Sequence, residues 1–239
     1  MNDQDSRADE SEAGVLVKIA NRPKLGLEVT NQIRDAIMLG TYAPKRRLVV
    51  DEVAHQLGVS SMPVREALVA LASEGLLEVL PNRGFAVGQI DRGDIEDIVM
   101  FHAFLAGLLA ERAALVITEV ELERLVRTQE DLEAVARDGD DREHLTRIGD
   151  LNFLFHRTIN KLVDAGRLLW FLRAVTSYVP RNVYEAIAGW SQLAVEDHPA
   201  IILALGSRDT RGARELTEQH VSRAGAKVIE YLTDRGFWG

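Results

Sequence analysis

The stretch 53–68, VAHQLGVSSMPVREAL, constrains this 239-residue chain more than any other. A short helix with Val53, Ala54 and Leu57 facing inward ends at Gly58, and a tight turn follows. A second helix opens over residues 60–63, where the missing N–H of Pro63 is harmless because first-turn N–H groups have no intrahelical partner. Its core stripe is Val64, Leu68 and Leu71, and Gly75 closes it. Two short β segments follow, LLEVLP and GFAVGQI, hinged on Asn82-Arg83-Gly84. Helix, turn, helix and β-wing in this order is a way of setting a helix end into a DNA major groove.

The flanks fit that unit. Residues 25–40 carry Val29, Ile33, Ile37 and Met38 at helical spacing, and Gly40 ends the run. TYAPKRRL is a loop broken by Pro44. Asp91–Gly93 marks a domain boundary, and beyond it the sequence turns almost wholly helical. Helices are expected near 94–116, 118–138, 141–163, 166–188, 192–206 and 210–233, with a capping box at Thr118-x-x-Glu121. Pro199 suits the first turn of its helix. The fold class is therefore mainly α: an N-terminal winged helix-turn-helix with a small β-wing, then an all-helical bundle. The divisions are an acidic tail over 1–20, expected to be flexible, the DNA-reading unit over 21–91 and the helical domain over 92–239.

Charge and composition narrow the partners. The net charge of −9 excludes a protein coated in basic surface. Lys45, Arg46 and Arg47 nevertheless cluster ahead of the helix-turn-helix, and Arg65 and Arg83 lie on its second helix and wing. A local basic face of this kind binds DNA with steep salt dependence. With no cysteine there is neither a disulfide framework nor a thiolate metal site. The N-terminus lacks the apolar core of a signal peptide, and no apolar run reads as long enough to span a bilayer. A cytoplasmic protein with no membrane partner is expected.

A DNA-reading helix needs a hydroxyl or free N–H at its start for phosphate and a long cation close behind for a base edge. Ser60 and Ser61 are candidates for the first role. Arg65 is the candidate for the second, since a guanidinium can make two hydrogen bonds to guanine O6 and N7. Gly84 lets the wing turn sharply so that Arg83 approaches the backbone or minor groove. Arg46 and Arg47 complete the expected DNA-binding set. The alternative is a three-helix packing unit in which Arg65 pairs with a nearby carboxylate.

These residues resemble the winged-helix domain of the GntR family of bacterial transcription regulators over 33–88. The matching positions are Ile33, Ile37, Gly40, Pro44, Leu48, Leu57-Gly58-Val59-Ser60, Pro63-Val64-Arg65-Glu66-Ala67-Leu68, Leu71, Glu74-Gly75-Leu76, Pro81, Arg83-Gly84 and Val87. The chain departs from the family at two places: Lys45 stands where glycine often follows the loop proline, and Ser61 where arginine often follows the helix-opening hydroxyl.

Histidines carry the second constellation. Asn152 and His156 are four apart and share a helix face. His198 and His220 flank a turn near 207–210 at similar distances, so an antiparallel hairpin brings them level. Three imidazoles and one side-chain oxygen then converge on one divalent cation, zinc or similar. For any one of them the alternative is a half-buried histidine bonded to a carbonyl. His102, in the apolar run MFHAFLAGLL, either lines a pocket or sits in a core.

Residues 94–233 resemble the FCD-type effector domain of the FadR-like branch of the same family. Many members bind a metal there through an Asp and a His four apart and two later histidines. Asn152, His156, His198 and His220 hold those positions, with Asn in place of Asp. The resemblance implies a homodimer that binds a double-stranded DNA operator, acts as a repressor and responds to a small effector, an organic or sugar acid, beside the metal. His102 would line that effector pocket. The family's early arginine and glutamate are missing here, which permits a more apolar effector. The competing class is a hydrolase-like enzyme using the three-histidine centre. No general base is evident for it, so the expectation is a regulator and not an enzyme.

Overall fold

The structure is a computed structural model and describes residues 23–81, 83–139, 141–179, 184, 187 and 189–238. The acidic tail over 1–20, the wing residue Asn82 and much of the expected helix end before 188 lie outside the described residues.

The N-terminal unit is α1 (Pro23–Met38), β1 (Arg47–Leu48), α2 (Val50–Leu57), α3 (Ser61–Ser73), β2 (Leu77–Leu80) and β3 (Gly84–Val87). Its helices stop where the backbone turns left-handed at glycine: Gly40, Gly58 and Gly75 have φ of 76°, 65° and 81°. There a side chain would clash and glycine does not. The antiparallel sheet runs β1-β3-β2, with Arg47 opposite Ala86 and Leu80 opposite Gly84. Val29, Ile33, Ile37, Val53, Val64, Leu68, Leu71 and Phe85 fill one core. Lys45 holds φ 66°, a conformation that suits glycine.

The C-terminal part is α4 (Arg92–Val116), α5 (Glu119–Asp138), α6 (Arg142–Lys161), α7 (Gly166–Thr176), α8 (Trp190–Gly206) and α9 (Thr210–Asp234). Reciprocal capping boxes start two of them, Asp91 with Asp94 and Thr118 with Glu121, so orphan N–H groups are satisfied. α4 and α9 pack closely. A Cβ on Gly225 would fall 2.1 Å from Val99, and one on Gly107 would fall 2.4 Å from Glu218.

Three expectations need correction. The helix expected over 166–188 stops at Thr176. The Thr176 and Ser177 hydroxyls bond back to carbonyls of the last turn, and Val179 is buried in the core shared with the N-terminal unit. Pro199 stands in the middle of α8, the tenth residue of a helix that begins at Trp190 and buries Leu193 and Ala194 ahead of it. Finally, α4 is long and apolar enough to cross a membrane by length and composition, with a mean hydropathy of 1.6 over its most apolar window. Here it is a core helix that packs against α6, α7, α8 and α9.

Candidate metal centre and nucleic-acid face

The expected histidines meet. α6 supplies Asn152 and His156, and the α8–α9 hairpin, turning at Arg208, supplies His198 and His220. The ring centroids of His156, His198 and His220 lie 4.9–5.2 Å apart in all three pairs. One ligand nitrogen from each falls within 4.8 Å of the others. Phe155, fully buried, stacks flat on His198 with centroids 3.8 Å apart and fixes that ring's plane.

Outer partners set the tautomers. Gln129 on α5 donates Nε2 to the Glu133 carboxylate, which turns its Oε1 toward His198 Nδ1 at 2.9 Å. His198 must then carry its proton on Nδ1, and its Nε2 lone pair is buried without a partner. Asp197 accepts from His220 Nδ1 at 3.1 Å and is also paired with Arg223. That leaves His220 Nε2 facing His156 Nε2 at 3.2 Å. Two lone pairs at that distance need a proton or a cation between them. Asn152 Oδ1 is likewise buried and unpartnered.

Burial favours the neutral form of His102, His156 and His198. Burial, then the charges of His220 and His102, hold His156 well below the usual histidine range. Burial, then His156 and His220, does the same to His198. His102 reaches toward this cluster from α4, and burial followed by His220 lowers its pKa to about 4. Neutral imidazoles are the metal-ligating form. Gln129 and Asp197 were missed in the sequence. Asp197 had a signal, because it lies about as far from the Arg208 turn as His220 does.

The donor set fits a divalent cation. Nitrogen ligands at 2.0–2.1 Å from zinc stand about 3.3 Å apart in a tetrahedron, close to the observed 3.2 Å between His156 and His220. Asp197, tied to His220 and Arg223, is occupied as an orienting partner and is not a free general base.

In the N-terminal unit, Ser60 is the N-cap of α3 and its side chain makes no capping bond, so the helix N-terminus is open. Ser61 donates to Asp51 Oδ1 at 2.7 Å. Arg65 is exposed and makes no ion pair among the described residues. Arg47 donates from Nε to the Arg83 carbonyl at 2.7 Å, drawing the approach loop to the wing tip. Arg46 lies over the Tyr42 ring at 4.5 Å. Gly84 holds φ 90° at that tip.

Comparison with known proteins finds matches for both parts of the chain. The model described as "Bacterial regulatory proteins, gntR family" matches residues 25–87, and the FCD domain model matches 97–223, more than half of the chain. An uncharacterised HTH-type transcriptional regulator of Agrobacterium vitis is 35% identical over 91 residues, 38% of this chain and 53% of that one. The HTH-type transcriptional repressor RspR of Escherichia coli K12 is 26% identical over 200 residues, 82% of this chain and 85% of that one. The solved structure of E. coli McbR/YncC superposes with a TM-score of 0.67 at 25% identity, covering 88% of this chain and 99% of that one. The chain belongs to the GntR family of bacterial transcriptional regulators, with an N-terminal winged helix-turn-helix and a C-terminal FCD domain.

Proposed function

We propose that this regulator is a ligand-responsive repressor whose helical domain holds a divalent cation through Asn152, His156, His198 and His220. One observation carries this reading: His198 Nε2 is buried and unpartnered within reach of the facing Nε2 atoms of His156 and His220, and Asn152 Oδ1, one helical turn before His156, is buried and unpartnered too. Burying such groups without a partner is costly unless something binds them. A bound cation would supply an electrophilic centre for an anion.

Three imidazoles and an amide bring no negative charge, so the charge of the cation is left for the effector to balance. A small organic or sugar acid suits that role. Neutral His102 would stand on the pocket wall as a hydrogen-bonding group and not as a second cation. On the DNA side, Arg65 would read a base edge. The open helix start at Ser60, together with Ser61, Arg46, Arg47, Arg83 and the Gly84 turn, would meet phosphates or the minor groove.

The domain divisions proposed are 21–91 for DNA reading and 92–239 for effector binding and pairing. Met100, Phe101 and Phe104 on α4 and Trp170 and Phe171 on α7 are exposed, and α4 and α7 pack together. A homodimer through this face would present two reading heads to a pseudo-palindromic operator in the cytoplasm. Repression is favoured by the name of the relative RspR.

Plasma mass spectrometry on protein purified without chelator or added metal tests the centre. About one metal per chain is expected, and loss of it in His156→Ala. A metal content near zero, or one unchanged by that substitution, would sink the metal reading.

A further inference from the structure

The C-terminal end of a helix leaves its last carbonyls without intrahelical partners. At the end of α3 one of these carbonyls, that of Glu74, is satisfied from outside the DNA-reading unit. The Tyr178 hydroxyl, just beyond α7 in the FCD domain, donates to it at 2.7 Å across 104 residues of sequence. The Glu74 side chain is also fixed. Both of its oxygens accept from Arg34 Nη2 on α1, at 2.9 and 2.7 Å. Arg34 is 5% exposed and is itself held by Asn31. Glu74 is therefore gripped by α1 through its carboxylate and by the FCD domain through its backbone.

The residues next to Tyr178 lead toward the histidines. Val179, Ile187 and Trp190 are buried in one continuous core with Leu71, Leu76 and Leu77. Trp190 packs on the Tyr184 ring and opens α8. Seven and eight residues further along α8, about 11–12 Å of helix, stand Asp197 and His198.

We propose that Tyr178 is a positioning residue for DNA recognition, holding the C-terminal end of α3 from the effector domain and so setting the angle of the reading head. The hydroxyl does this as a donor. Burial, followed by the Glu74 carboxylate, raises the phenol's pKa, so the proton stays in place throughout the physiological range. The bond reaches a backbone atom, so it does not depend on the Glu74 side chain. Movement of α8 at the histidine cluster would reach α3 through this contact and the packed residues beside it. The positioning role needs only the family's DNA binding and stands whether or not the histidines hold a metal.

The test uses the full-length chain and a duplex selected from a random-sequence library by the wild-type protein. Tyr178→Phe removes the hydroxyl and keeps the ring. Duplex affinity should fall about 3–10-fold, the equilibrium worth of one neutral hydrogen bond. The slope of affinity against salt should stay at the wild-type value, because no phosphate contact is lost. Amide hydrogen exchange should quicken at Gly75 and Leu76 and stay unchanged in α4 and α9. Unchanged affinity, a shallower salt slope, or faster exchange spread through the FCD domain would each overturn the proposal.

Discussion

Gln129 Oε1 lies 2.9 Å from His198 Nδ1, with both groups buried, and this contact decides which nitrogen of His198 is free. Gln129→Leu keeps the volume roughly constant and removes the acceptor. His198 can then place its proton on Nε2, the nitrogen the centre needs. Zinc affinity, measured by competition with a chromogenic chelator, should fall about 10–100-fold. Equal affinity in the variant would show that the glutamine does not set the tautomer.

The lowered pKa values of His102, His156 and His198 make stability depend on pH in a defined direction. His102 titrates near 4 in the folded chain, against 6.5 for an ordinary histidine. Above about pH 6.5 it is neutral folded or unfolded and contributes no pH dependence. Below that, the unfolded chain binds a proton that the folded chain refuses, so stability falls as pH drops. By pH 5 the loss from His102 is on the order of 2 kcal/mol. His156 and His198, also lowered, act in the same direction. Urea unfolding of chelator-treated wild type and His102→Gln at pH 7 and pH 5 isolates the term. Identical pH responses in the two proteins would refute it.

Arg65 is exposed on α3 without an ion pair among the described residues, so its loss should leave folding intact. Arg65→Ala should relax discrimination at one base pair by about 1–3 kcal/mol. Affinities for a set of single-base operator variants would reveal this. A uniform loss across all variants would instead mark Arg65 as a phosphate contact.

The wing tip offers a backbone test. Gly84 sits at φ 90°, and a Cβ there would fall 3.2 Å from the Leu48 carbonyl oxygen. Gly84→Ala should cost about 1–2 kcal/mol in chemical unfolding, with weaker duplex binding as the wing shifts. A neutral substitution would mean that the tip relaxes freely.

The sequence made the helix-turn-helix legible because its determinants are local. Gly58 and Gly75 mark left-handed stops, Pro63 marks a first turn, and the apolar spacing between them fills one core. The convergence of the histidines was legible for two geometric reasons, a helix-face position for His156 and a hairpin register for His198 and His220. What set the end of α7 was hidden, because it depends on burying Val179 against another domain. Gln129 was hidden for the same reason, since its partner is 69 residues away. The geometry of Asp197 was hidden too, because it is set by α9 across the hairpin.

Lys45 keeps a left-handed backbone at φ 66° where glycine would sit without strain, and it projects an exposed cation from the approach loop. Ser61, where the family often carries arginine, is turned aside to Asp51. On the proposed DNA contacts, Lys45 thus places one positive charge in the loop ahead of the helix-turn-helix, and none stands at the first position of α3. A phosphate contact adds affinity but no sequence information. On the proposed contacts, the chain's binding sites should form a broader, more degenerate set than those of relatives with arginine at the helix start.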